Sequence, residues 1–387
     1  MHPASLTALA ALALFVPSNE DPQALVVPYE TGLTLELDAS FHYESEVVDF
    51  TLIRDGVEQD MSGRMGGPSS VTRKLLMSDH YTKVEEGRPL ALERSFETLS
   101  HESKRMRGDE EMVTESSGPL ESVTLGLTLE DGEVAVEVLK GSAPDDDALL
   151  EGFSMTLGLD GLLPEGKVEP GATWHPAGEA LVRALGLDLE GQLFPPPPRS
   201  QAPEGGGPGR RGGGMRGGGG NPVGAMIRDA EWDFEATLAE EHADVDGTDC
   251  LVIELEGDGE YELPERPAFG GGGGRGGDRF VPESSLALPP FGGGAGLELE
   301  GKLYLDSKTH LPVRFEVEME VSIDEVVERS SERGDTTMHT ATEGTLTYVA
   351  NLRKVVAERF GYVAGLDPEA RPPLTTYTEK DAEEFIR

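Results

Sequence analysis

Three aspartates crowd one short loop: "DVDGTD" sets Asp244, Asp246 and Asp249 around Gly247. Carboxylate oxygens are the ligands that a hard cation such as Ca2+ selects. The EF-hand spacing needs further ligands and a Glu at its twelfth position, which this loop lacks. The stretch therefore reads as a type I turn leading into the strand "CLVIEL". Asp145, Asp146 and Asp147 read as a solvated loop. His42, His80, His101, His175, His242, His310 and His339 are dispersed, with no H-x-H or H-E-x-x-H pair. A zinc site would have to assemble from separate strands. Cys250 lies in an apolar stretch and is expected to pack rather than react.

The remaining motifs are weaker. "GPGRRG" (Gly207 to Gly212) meets the G-x-G-x-x-G spacing, but inside a polyglycine tract with no strand before it and no helix after it. Arg210, Arg211, Arg216 and Arg275 stand in Arg-Gly clusters of the kind that bind RNA, which the acidic balance of the chain opposes. Arg107-Gly108-Asp109 and Arg333-Gly334-Asp335 spell an adhesion tripeptide and read better as two turns in matching positions. Trp174 and Trp232 are expected as core anchors rather than pocket walls. The sequence has no G-x-S-x-G, S-x-x-K or P-loop. No catalytic, cofactor-binding or metal-binding residue is nominated, no cofactor is expected, and the chain is not expected to be an enzyme.

The elements that carry these residues are mostly strands. Val313, Phe315, Val317, Met319, Val321 and Ile323 alternate with Arg314, Glu316, Glu318, Glu320 and Ser322. Such a period of two makes a strand with one dry and one wet face. Leu33, Leu35 and Leu37 repeat the pattern. Val123 to Leu129 and Val134 to Val138 flank Asp131-Gly132, a hairpin signal. Only "PAGEALVRALGLD" (Pro176 to Asp188) has helical character, so one short helix near 176–186 is expected. The fold class is mainly β: antiparallel, with long one-sided strands forming a curved sheet or half-barrel.

Two tracts interrupt the strands. Pro195 to Pro222 and Pro264 to Gly296 are Gly- and Pro-rich and read as disordered loops or linkers. "YTKVEEGRPLALE" (Tyr81 to Glu93) echoes "YLDSKTHLPVRFE" (Tyr304 to Glu316). "RGDEEMVTESSG" (Arg107 to Gly118) echoes "RGDTTMHTATEG" (Arg333 to Gly344). The echo predicts an internal duplication. Its expected layout is a β lobe with the helix over 29–194, a linker over 195–222, and a second lobe over 223–362 with an insertion at 264–296. A tail over 363–387 follows. One continuous sheet made of both repeats is the alternative.

Four stretches carry a resemblance: "SDHYTKVEEGRPLALERSFE", "SSGPLESVTLGLTLEDGEV", "LLPEGKVEPGATW" and "GKLYLDSKTHLPVRFEVEME". Together they resemble a family of secreted bacterial β proteins of unassigned activity. More loosely, they are similar to the lipoprotein-carrier (LolA-like) half-barrel group. The resemblance runs from about Tyr29 to Leu352 outside the glycine tracts. It implies a curved antiparallel sheet around an apolar cavity and transfers no functional residue.

Charge and leader set the compartment. The formal net charge of −41 over 387 residues argues against binding nucleic acid or an anionic membrane through charge. Leu6 to Val16 has the length of a signal-peptide h-region, and Val16 and Ser18 suit cleavage before Asn19. Residues 1–18 are expected to be a signal peptide. With Cys250 as the one cysteine there is no lipobox and no intrachain disulfide. The expectation is a soluble periplasmic or extracellular protein with no membrane span. It is read as a non-catalytic binder of an apolar ligand or a protein partner. The alternative is an acidic structural or interaction protein of the envelope or matrix, calcium-dependent in one version.

Overall fold

The structure, a computed structural model, describes residues 22–59, 67–107, 110–195, 222–263, 293–331 and 334–355. In the first half the strands are β1 (Gln23–Ala24), β2 (Thr34–Arg54), β3 (Val57–Gln59), β4 (Ser69–Glu85), β5 (Arg88–Arg107), β6 (Glu110–Ser117), β7 (Thr124–Glu130) and β8 (Glu133–Lys140). A cover segment follows, holding β9 (Lys167–Val168), β10 (Thr173–Trp174), α1 (Gly178–Ala184) and α2 (Glu190–Leu193). Then come α3 (Pro222–Asp229), β11 (Glu231–Leu238), β12 (Ala243–Val245), β13 (Thr248–Glu262), β14 (Gly293–Asp306), β15 (Pro312–Ser331) and β16 (Gly334–Lys354).

Fourteen strands form one antiparallel sheet in the order β10-β11-β13-β14-β15-β16-β2-β4-β5-β7-β8, with β12, β3 and β6 attached to β13, β2 and β5. It is not closed into a barrel. The two echoing blocks each supply three consecutive strands, β4-β5-β6 and β14-β15-β16. Of the two layouts that the sequence left open, the molecule has the single sheet. β16 pairs with β2, so β2 to β8 and β11 to β16 supply two halves of one surface rather than separate lobes, and β10 adds to the edge of the second half beside β11.

Curvature follows from how the cover is held. Asp160 accepts hydrogen bonds from Tyr29, whose ring lies 4.9 Å from that of Tyr81 in β4. Two residues on, the Leu162 carbonyl accepts a bond from Trp174 Nε1 in β10. β4 and β10 stand seven strand spacings apart, about 34 Å on a flat sheet at ~4.8 Å per strand. One short turn reaches both because the sheet curls around it.

Alternation sets which face is dry. In β15, Phe315, Val317, Met319 and Val321 are buried, while Glu318 and Glu320 are exposed. Leu35, Leu37, Ala39, Phe41 and Tyr43 of β2 and Leu346, Tyr348, Ala350 and Leu352 of β16 continue the same buried face. Leu162, Leu181, Leu185, Leu187 and Leu193 of the cover fill it from the other side. The β7–β8 hairpin turns at Asp131 and Gly132 with φ of 50° and 92°, the paired left-handed geometry of a type I′ turn.

The helix expected over 176–186 is α1. Two further helices went unread. α2 follows directly, and α3 starts at Pro222, the last residue of the tract read as disordered. Gly293 to Gly296, the end of the second tract, are not a loop either. They open β14, and Gly294, Ala295 and Gly296 pair with Asp324, Ile323 and Ser322. The rest of both tracts, the leader over 1–18 and the tail over 363–387 lie outside the described residues.

Candidate functional site

The acidic loop is a turn. Asp246 and Gly247 have φ of 51° and 83°, so it is type I′ rather than the type I read from sequence. The Asp244 carboxylate accepts from the Gly247 N–H at 3.0 Å and stabilises the turn itself. Asp249 accepts from Ser307 Oγ at 2.6 Å and faces His242 Nδ1. Asp146 caps the short turn over Asp147–Leu150 through a bond from Ala148 N. Among the described residues no group of three His, Cys, Asp or Glu side chains could hold a metal ion.

The histidines stay apart. His42 bonds Thr72, His80 bonds Thr34, and His339 sits between Asp49 and Asp324. Burial pushes the Cys250 thiol up to about 11, with Asp306 adding to the shift. Trp174 and Trp232 each donate to a backbone carbonyl, of Leu162 and Ile227, and pack on the core. The Arg-Gly-Asp copies fall at the β5–β6 and β15–β16 connections, where residues 108–109 and 332–333 are outside the described residues. "GPGRRG" and Arg210, Arg211, Arg216 and Arg275 are outside them as well.

The residues that sequence reasoning missed lie on the concave face. On β4 the inward positions read Arg73, Leu75, Met77, Asp79 and Tyr81. Arg94 of β5 grips Asp79 with two bonds, Nε to Oδ1 at 2.7 Å and Nη2 to Oδ2 at 2.6 Å. The pair is 1% and 0% exposed. Burial works against the Arg94 charge, but Asp79 outweighs it and holds the guanidinium above its usual range. Arg94 Nη2 also reaches the Thr156 carbonyl of the cover at 3.4 Å.

About six residues along β4 stands a second group. Arg73 donates from Nη2 to Glu190 Oε1 of α2 at 2.5 Å. Arg228 of α3 reaches Glu190 Oε2 at 3.4 Å. Arg73 is 6% exposed and lies between the rings of Phe41 and Phe194, 5.2 and 5.5 Å from its guanidinium carbon. Aromatic faces attract such a cation. His101 is beside it. Burial lowers the His101 pKa, and the charge of Arg73 lowers it further.

A cavity of about 70 Å3 runs between these groups. Leu37, Ala39, Phe41, Leu75 and Met77 make its floor, Leu185, Leu187, Leu189 and Leu193 its roof, and both Arg73 and Arg94 line it. Arg73 Nε and Arg94 Nη1 are buried and have no hydrogen-bond partner among the described residues. The loop that closes the roof is held by close approach. Gly158 has φ of 83°, and a Cβ there would meet the Arg183 carbonyl oxygen at 2.6 Å. A guanidinium keeps its proton at any ordinary pH, so these groups suit binding and positioning rather than proton transfer.

No protein-family model and no curated protein matches the chain. Solved structures that align with it include one of lipovitellin, concerned with lipid–protein interactions. There the identity is 6%, with 85% of this chain and 26% of that one covered, at a TM-score of 0.30. The outer membrane protein OprG from Pseudomonas aeruginosa aligns at 5% identity over 85% of this chain and 100% of its own, at a TM-score of 0.21. A Pseudomonas aeruginosa FadL homologue aligns at 6% identity over 84% and 91%, also at 0.21. Similarity this low identifies neither a shared ligand nor a shared role.

Proposed function

We propose that this chain is a non-catalytic carrier that holds an apolar molecule between its curved sheet and the cover. One observation carries the reading: leucine, methionine and phenylalanine side chains surround a void that the chain's own side chains leave unfilled. Closely packed interiors have few voids larger than a water. The resemblance to half-barrel lipoprotein carriers belongs to the same proposal. So does export through the leader at residues 1–18 to the periplasm or medium.

Calorimetric titration with 1-hexanol tests the reading, beside native mass spectrometry of the protein purified from its own host. Saturable binding of 1-hexanol, or a retained apolar molecule, supports it. Absence of both overturns it.

A second reading, an acidic interaction protein that responds to calcium, has its own support. Glu235, Glu256, Glu300 and Glu318 stand directly opposite one another across β11, β13, β14 and β15. Asp233, Asp258, Glu298 and Glu320 form a parallel row. Calcium-dependent self-assembly, measured by light scattering, is its test.

A further inference from the structure

The apolar-carrier reading leaves the polar end of the ligand unassigned, and the inference here rests on that reading. We propose that the molecule is a short carboxylate, with its acyl tail in the cavity and its carboxylate on Arg73. Three observations point there. Arg73 lines the cavity, is 6% exposed, and has a buried Nε with no partner among the described residues. An arginine buried this far normally has its donors met, because an unmet buried donor costs about 1–3 kcal/mol. The missing partner is an acceptor.

Charge favours an anionic acceptor at this end. Arg73 and Arg228 share one carboxylate, Glu190, so two cations face one anion. At the other end, Arg94 and Asp79 neutralise one another, and the free Arg94 Nη1 suits an uncharged acceptor such as water. The head group therefore belongs at Arg73, with the tail lying over Leu75 and Met77 towards Arg94. Size limits the tail. A water-sized occupant needs about 10–15 Å3 of such volume, so a void of about 70 Å3 takes about five to seven such occupants. That matches a tail of about four to six carbons and excludes a long-chain lipid unless the cover lifts.

Titration with sodium hexanoate against 1-hexanol, at low ionic strength, tests the proposal. The wild-type protein is expected to bind hexanoate about tenfold or more tighter than hexanol. Arg73→Gln, which leaves Glu190 paired with Arg228, is expected to abolish that preference, so that hexanoate binds no tighter than hexanol. Arg228→Gln alters a part-exposed side chain and guards against misfolding of the first variant. It is expected to weaken hexanoate several-fold and hexanol not at all. Equal affinity for the two probes in the wild type overturns the carboxylate assignment and leaves the apolar reading standing; a water is then the occupant at Arg73. No binding of either probe overturns both.

Discussion

Asp79 and Arg94 carry a large single-residue risk. Each is fully buried, and each is the other's ion-pair partner. Arg94→Met would leave a carboxylate in an apolar core, at a cost of about 3–5 kcal/mol. Urea unfolding of Arg94→Met beside Asp79→Leu/Arg94→Met checks this, since the double variant removes both charges and should regain most of the loss. A double variant no better than the single one would show that the pair stabilises in its own right. Half of this was legible. Asp79 and Arg94 occupy inward positions of alternating strands, in "LLMSDHY" and "LERSFE", and a charge at such a position demands a partner. The partner's identity depends on register, which two bulges in the β4–β5 pairing shift before the pair is reached. Glu190 had no local signal, because it meets Arg73 across 117 residues.

Asp160 gives a pH prediction at the same scale. Burial raises its pKa, and the bonds from Tyr29 and Thr156 only partly oppose that. A carboxyl whose pKa is raised by folding takes up a proton more readily in the folded chain. It contributes stability at low pH and withdraws it as pH climbs from the unfolded value through the folded one. Asp160→Asn cannot ionise. Its melting temperature, relative to wild type, should therefore be higher at about pH 7 than at about pH 4. A difference that stays flat across that range would place Asp160 in water.

At the scale of elements, β15 is the strand whose sequence said most. Its buried face is as the alternation predicts, so Val317→Glu should cost about 3 kcal/mol or more, the scale of an uncompensated buried charge. Its wet face held a surprise. Read alone, Glu318 is a solvated residue whose change to Lys does nothing. In the sheet it stands opposite Glu300, which stands opposite Glu256. Glu318→Lys should stabilise by about 0.2–1 kcal/mol, because like charges directly opposite repel. Chemical denaturation of both variants checks the register, and a destabilised Glu318→Lys would refute the pairing. Strand period and the Asp131-Gly132 turn were visible because both are local. The start of β14 was hidden, since Gly294 and Gly296 have no side chain to mark a face and pair only because β15 is there. The face that Glu318 shares was hidden for the same reason.

At the scale of the whole molecule, charge dominates: the chain carries a formal net charge of −41. Within each carboxylate row, neighbouring positions lie about 4.8 Å apart across strands, well inside the ~30 Å screening length at about 10 mM salt. Raising NaCl to about 500 mM should therefore raise the melting temperature by several degrees. Calorimetry with CaCl2 at matched ionic strength separates two causes. An equal rise is screening, and a much larger one favours the calcium-responsive reading. No change with NaCl would mean that the rows do not repel as the pairing implies. The net charge was plain in the composition, whereas the alignment of carboxylates into rows came only from strand order.

The join between β16 and β2 also governs how the chain reaches its fold. Thr336 lies beside Arg54 and Lys354 beside Leu35, so the middle of the sheet unites residues about 300 positions apart. Such pairings must close a very long loop before any contact rewards them, and folding rates fall accordingly. Until β16 arrives, β2 presents a bare edge and half of a greasy surface. The N-terminal strands can form hairpins early, but they cannot finish a core. Folding should be slow, over seconds or longer, with its rate set by the docking of the last strand. Up to that moment the chain is an aggregation hazard of its own making.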